Sequence, residues 1–110
     1  MKRIFKYELN ITDGIQTIDL PYGHNILKYG VQPSDSVGGF ETLVFWALID
    51  DELPSDNSVN FRIVGTGQEI DFAYPVKDGL RYKDTVQMPS GLVWHIFNDS
   101  MNFGFVGVKK

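Results

Sequence analysis

His24 and His95 are the only histidines in the chain, and imidazole titrates nearer neutral pH than any other side chain, so acid–base chemistry would have to start from them. They are too distant in sequence to form a local metal pair. His24 follows Pro21-Tyr22-Gly23 and reads as a surface loop residue. His95 stands beside Trp94 in the apolar stretch Leu92 to Phe97, where a hydrogen-bonded structural histidine is the simpler reading. As an acid or base it would need a carboxylate such as Asp84 or Glu69 within hydrogen-bond reach. No Ser-His-Asp spacing accompanies it, so no catalytic residue is assigned.

Gly65-Thr66-Gly67 offers a second kind of chemistry. Glycines at the end of a strand let backbone N–H groups approach an anion, and the Thr66 hydroxyl adds a donor. Arg62 alternates with Phe61 and Ile63, which places it on the opposite face, either as an anion partner or as an ordinary solvent-facing charge. Neither a P-loop lysine nor a dinucleotide fingerprint accompanies the turn, so the plain alternative is a bulge or tight turn. Trp46 and Trp94, with Phe45, Tyr82 and Phe97, could stack on a base or a sugar, although core packing accounts for them equally. Arg62, Gly65, Thr66, Gly67, Trp94 and His95 are therefore the candidate ligand-binding residues.

Metal chemistry has little to work with. Without cysteine there is no disulfide, thiolate zinc site or thiol nucleophile. The acidic run Asp50, Asp51, Glu52 and Asp56 lacks calcium-loop spacing: the sixth position counted from Asp50 is Ser55, not glycine, and the twelfth is Phe61, not glutamate. It reads as a solvated turn, and neither a metal nor a cofactor is expected.

The elements that must position these residues are strands. The chain has 110 residues, enough for one core, and a single β domain over 1–110 is expected. Alanine occurs only at 47 and 73, while β-branched and aromatic residues are abundant. Glycine and proline cut the chain into strand-length pieces. Phe5, Tyr7, Leu9 and Ile11 alternate with polar residues, and Asp13-Gly14 then predicts a hairpin to a second strand carrying Ile18 and Leu20. Asn25 to Gln32 follows, with Leu27, Tyr29 and Val31 aligned. The continuous apolar stretch Phe40 to Ile49, opened by Gly38-Gly39, predicts a central strand covered on both faces. Val59, Phe61 and Ile63 mark another strand, Gln68 to Gly79 a short strand and a loop, Leu80, Tyr82 and Val86 a further strand, and Leu92 to Phe97 one more. Residues 98–110 read as a C-terminal extension or, through Phe103, Phe105, Val106 and Val108, an edge strand. Seven to nine short strands predict an all-β, compact antiparallel β-sandwich or small barrel.

Charge bounds the partners. Fourteen acidic and ten basic residues give a net charge of −4, which argues against duplex nucleic acid and anionic membranes. The longest apolar run, Leu43 to Ile49, is far short of the roughly 20 residues a membrane helix needs. Charged residues followed by alternation at the N-terminus do not resemble a signal peptide, and an intracellular soluble protein is expected.

Lys6-Tyr7-Glu8-Leu9 with Ile11, Ile18-Asp19-Leu20-Pro21 with Gly23, Trp46-Ala47-Leu48-Ile49-Asp50, Phe61-Arg62-Ile63-Val64-Gly65-Thr66-Gly67 and Val93-Trp94-His95-Ile96-Phe97 together resemble a family of small bacteriophage and prophage proteins of unknown function. The resemblance covers most of residues 2 to 97. It implies a phage accessory protein in the host cytoplasm, and it brings no activity or site residues.

Three functions follow as expectations. The first is a non-enzymatic binding protein that captures a host protein or a small anionic, nucleotide-like ligand. The second is a virion structural or assembly protein forming homo-oligomers, for which a two-sided apolar β domain suffices. The third is a small hydrolase using His95.

Overall fold

The computed structural model describes residues 1–33, 41–72 and 79–100. Seven strands run through them: β1 (Lys2–Leu9), β2 (Ile15–Leu20), β3 (Asn25–Pro33), β4 (Glu41–Asp50), β5 (Asn57–Gly65), β6 (Arg81–Gln87) and β7 (Val93–Asn98). There is no helix among the described residues. The strands form two antiparallel sheets, a three-stranded one ordered β1-β4-β3 and a four-stranded one ordered β2-β5-β7-β6. The expected all-β sandwich is the fold, at seven strands. The expected opening at Gly38-Gly39 and the expected strand at Phe103 to Val108 lie outside the described residues.

Alternation in β4 and β5 builds the core. Leu43, Phe45, Ala47 and Ile49 point inward from β4, and Val59, Phe61 and Ile63 meet them from β5. Phe45 stacks on Phe61 across the sheets with ring centroids 5.1 Å apart, and on Tyr7 within its own sheet at the same separation. Both phenylalanines are fully buried, and truncating either to alanine would cost about 3–5 kcal/mol. β4 is central, as its apolar run predicts, but its cover is uneven: on the outer face Val44 is buried while Trp46 and Leu48 are half-buried.

The predicted β1–β2 hairpin does not form. β1 pairs with β4 along its whole length and β2 pairs with β5, so the two belong to different sheets. A two-residue hairpin turn at Asp13-Gly14 requires positive φ at glycine, and Gly14 does not adopt it. Instead, the Gln16 side chain ties both backbone groups of Asn10, with Asn10 N donating to Oε1 at 2.9 Å and Nε2 donating to Asn10 O at 2.6 Å. These bonds shape the link as a crossing between layers.

Two bulges break the simple alternation. In β3 the register with β4 shifts between Ile26 and Lys28, so Leu27 turns outward while Ile26 and Tyr29 both reach the core. In β6 a shift between Tyr82 and Asp84 sends Val86 to the interior, whereas Leu80 joins a second cluster on the outer face of the four-stranded sheet with Val64, Phe97 and Phe72. Leu80, Tyr82 and Val86 therefore do not share one face, despite their even spacing. No strand lies among the described residues, 68–72 and 79, of the segment expected to hold a short one.

Candidate functional site

The four-stranded sheet carries a recess of about 360 Å³ on its outer face, bordered by the turn that follows β5. Val64 from β5, His95 and Phe97 from β7, and Tyr82 from β6 come together there because alternation turns them outward on neighbouring strands. Gly65, Thr66, Gly67, Gln68 and Ile70 complete the wall.

Both turn glycines have structural grounds. Gln68 N donates to Gly65 O at 3.0 Å, and Gly67 between them has φ +89°, the third position of a type II turn, where a side chain would be strained. Gly65 lies opposite Trp94, and an added Cβ would come within 3.2 Å of the indole. Gln68 Oε1 also accepts from Gly65 N at 2.9 Å, so that amide is engaged within the turn and does not face an anion.

His95 is half-buried at the centre of a hydroxyl chain. Its Nε2 lies 2.8 Å from Thr66 Oγ1 and its Nδ1 lies 2.9 Å from Thr85 Oγ1, which in turn lies 2.7 Å from the Tyr82 hydroxyl. Each hydroxyl can give or take a hydrogen bond, so the geometry accepts either neutral tautomer. Neither Asp84 nor Glu69 holds the ring. Asp84 accepts instead from the Thr85 backbone N–H at 2.8 Å.

Arg62 faces outward as expected, but it is covered there and open neither to solvent nor to an anion. Its side chain is buried, its Nη2 donates to both Asp71 carboxylate oxygens at 2.8 and 2.9 Å, and its Nη1 donates to the Asp13 carbonyl. The guanidinium also sits 5.9 Å from the centre of the Phe72 ring. Its charge is thus already met by a carboxylate, and it works as a strut from β5 to the flanking segments. It does not line the recess.

Trp94 points to the sandwich interior and packs against the core. With Gly65, Thr66, Gln68, Gly91, Leu92 and Val93 it lines a second concavity, of about 560 Å³, on the other side of the same turn. Its Nε1 is buried without a hydrogen-bond partner among the described residues. Of the six sequence candidates, Gly65, Thr66, Gly67 and His95 meet at the recess, Trp94 belongs to its neighbour, and Arg62 to neither.

The expected aromatic platform is likewise divided. Phe45 is in the core, Trp46 is on the outer face of the other sheet, and Tyr82 and Phe97 share the recess with centroids 5.9 Å apart. Sequence reasoning missed Val64, Gln68, Ile70 and Thr85 as neighbours of His95. Gln68 had one legible cue, its position three residues after Gly65, where a side-chain amide can close the turn.

His24 is also corrected: it is buried, not on the surface. Its Nδ1 lies 3.0 Å from the Pro21 carbonyl and its Nε2 lies 2.8 Å from Ser100 Oγ. A carbonyl has no hydrogen to give, so Nδ1 is the donor, and in the neutral ring Nε2 accepts from the serine.

Among the described residues no group of three or more histidine, aspartate or glutamate side chains is placed to hold a metal ion. In the acidic run, Asp50, Asp51 and Glu52 gather on the Met1 ammonium at 3.1, 3.2 and 3.4 Å, and Arg3 pairs with Asp51. No helix among the described residues is long and apolar enough to cross a membrane.

Residues 1–102 match the model of a family described as a domain of unknown function, DUF7352. No curated protein and no solved structure matches the chain.

Proposed function

The chain belongs to the DUF7352 family, and we propose that it is a non-enzymatic binding protein that seats an uncharged, largely apolar group of a partner protein in the recess beside the 65–68 turn. One observation carries this reading. Val64, Ile70, Tyr82 and Phe97 supply apolar walls, His95 and Thr66 supply the polar contacts, and no charged side chain lines the recess among the described residues. Mostly apolar concavities with a few fixed polar groups are the usual form of a specific binding site. The small anionic ligand is the weaker branch, because Arg62 is held by Asp71 and the Gly65 amide by Gln68. The setting proposed for the partner is the host cytoplasm of a phage-infected cell, on the strength of the sequence resemblance.

The test is amide and methyl NMR on labelled protein, titrated with two panels, one of short peptides bearing a single leucine, phenylalanine or tyrosine and one of nucleotides. Peptides are expected to shift resonances of Thr66, Ile70 and His95, and Tyr82→Ser to abolish those shifts. Silence at these residues with every peptide would defeat the proposal. Shifts with nucleotides alone would favour the anionic ligand.

A further inference from the structure

Each sheet has two outer strands, and three of these four edges carry features that discourage pairing with another chain. β1 places Lys2, Arg3 and Lys6 along its length. β3 is bulged beside Lys28 and ends on Pro33. β6 is bulged at Lys83 and also bears Arg81. Lysines, prolines and bulges are the devices by which edge strands avoid intermolecular pairing. β2 has no lysine, proline or bulge, and its one charged residue, Asp19, accepts from Ser58 Oγ of β5 at 2.6 Å. Its register with β5 is unbroken from Ile15 to Leu20, it contains no lysine, arginine or proline, and Ile15 is 61% exposed. Among the described residues no strand pairs with its free side.

We infer that the free edge of β2 is a self-association surface, pairing antiparallel with β2 of a second copy of this chain. A second copy fits for three reasons. A strand opposed to itself antiparallel closes on a two-fold axis, so one undefended edge gives a dimer and the three defended edges stop further growth. In the register that sets Ile18 against its own counterpart, Gln16 faces Leu20 and Thr17 faces Asp19 of the other copy. No like charges are then directly opposed, which an antiparallel ladder would penalise. Ile18 is half-buried at the open side of the core, and its counterpart would cover it.

The joined sheets form one eight-stranded layer. Because the axis runs through the sheet, both outer faces, and with them both recesses, lie on the same side. β6, which helps line the recess, is at the far edge from β2, so pairing leaves the recess open whatever it binds.

The experiment is light scattering on the full chain over a dilution series, with hydrogen exchange of residues 15–20 measured on the same samples. The expected result is the mass of two 12.5 kDa chains at high concentration, falling to one on dilution, with β2 exchange accelerating in step. The double variant Ile15→Lys/Thr17→Lys, which gives β2 the defence of the other edges, is expected to stay at one chain and keep its circular dichroism spectrum. A one-chain mass at every concentration would overturn the inference, as would a dimer that survives the double variant. Protection of β2 that ignores dilution would overturn it too, by assigning the edge to cover from within the chain. The exchange measurement decides the matter even if the variant fails to fold.

Discussion

Two hydrogen-bonded chains, each containing a tyrosine and a histidine, hold opposite ends of the four-stranded sheet, and they differ in what their groups are free to do. In the buried chain, Asn98 Nδ2 donates to the Tyr29 hydroxyl at 2.6 Å, Asn98 Oδ1 accepts from Ser100 N at 3.0 Å, and Ser100 Oγ meets His24, which ends on the Pro21 carbonyl. It ties β3, β7 and the β2–β3 link together. In the open chain, Tyr82, Thr85, His95 and Thr66 are joined side chain to side chain beside the recess. In the first, the Asn98 amide, the Ser100 backbone N–H and the Pro21 carbonyl have fixed donor and acceptor roles, and its residues are buried. The second is made of hydroxyls that can reverse, and water can reach them. The same residue types therefore serve as a structural tie in one place and as an adaptable contact surface in the other.

The sharpest way to break the comparison is to cut each chain at its middle. Asn98→Leu removes the buried side-chain hydrogen bonds to the Tyr29 hydroxyl and the Ser100 amide, and is expected to cost about 2–4 kcal/mol. Thr85→Val, at an exposed position, is expected to cost no more than about 0.5 kcal/mol. Urea unfolding midpoints of the two variants measure the difference, and equal losses would mean that both chains are structural.

His24→Ala should follow, at about 2 kcal/mol, because it removes a buried ring together with its hydrogen bonds to Ser100 Oγ and the Pro21 carbonyl. His95→Phe is expected to shift stability by less than about 1 kcal/mol while removing the peptide-induced NMR shifts at Thr66. A His95 variant that unfolds the protein would erase the distinction between the two histidines.

A smaller effect separates the chains by pH. Burial raises the Tyr29 pKa above its ordinary 10.0, with the negative charge of Asp84 adding to the rise and the Asn98 hydrogen bond opposing it. The folded state then keeps the phenolic proton after the unfolded state has lost it. This contribution to stability is complete below pH 10.0 and declines as pH rises beyond it. Thermal midpoints across an alkaline series should show the decline, and Tyr29→Phe should flatten it while lowering the plateau by about 1 kcal/mol.

Parts of this arrangement could be read along the chain. The outward facing of His95 and Phe97, and the inward facing of Phe61 and Ile63, follow from period-two alternation and nothing else. The 65–68 turn was visible in its glycines, although their reason was not: one lies under a tryptophan from a neighbouring strand and the other needs positive φ. Arg62 shows the limit. Alternation placed it on the outer face correctly, but whether that face met solvent depended on Asp71 and Phe72 after β5 and on the Asp13 carbonyl in the β1–β2 link. His24 failed for a similar reason, since its partner Ser100 is remote in sequence.

The sequence by itself determined the β character, the strand-length segments, the central position of β4 and the absence of thiol chemistry. Those rest on residue type and local period, which act over a few neighbours. Tertiary structure alone decided which strands share a sheet, where the two bulges reverse the facing of a strand, and which polar groups find partners in the interior. Each of these is a competition among distant segments for the same hydrogen bonds and the same apolar surface. β1 illustrates it: a local turn signal pointed towards β2, and eight residues of pairing with β4 outweighed it.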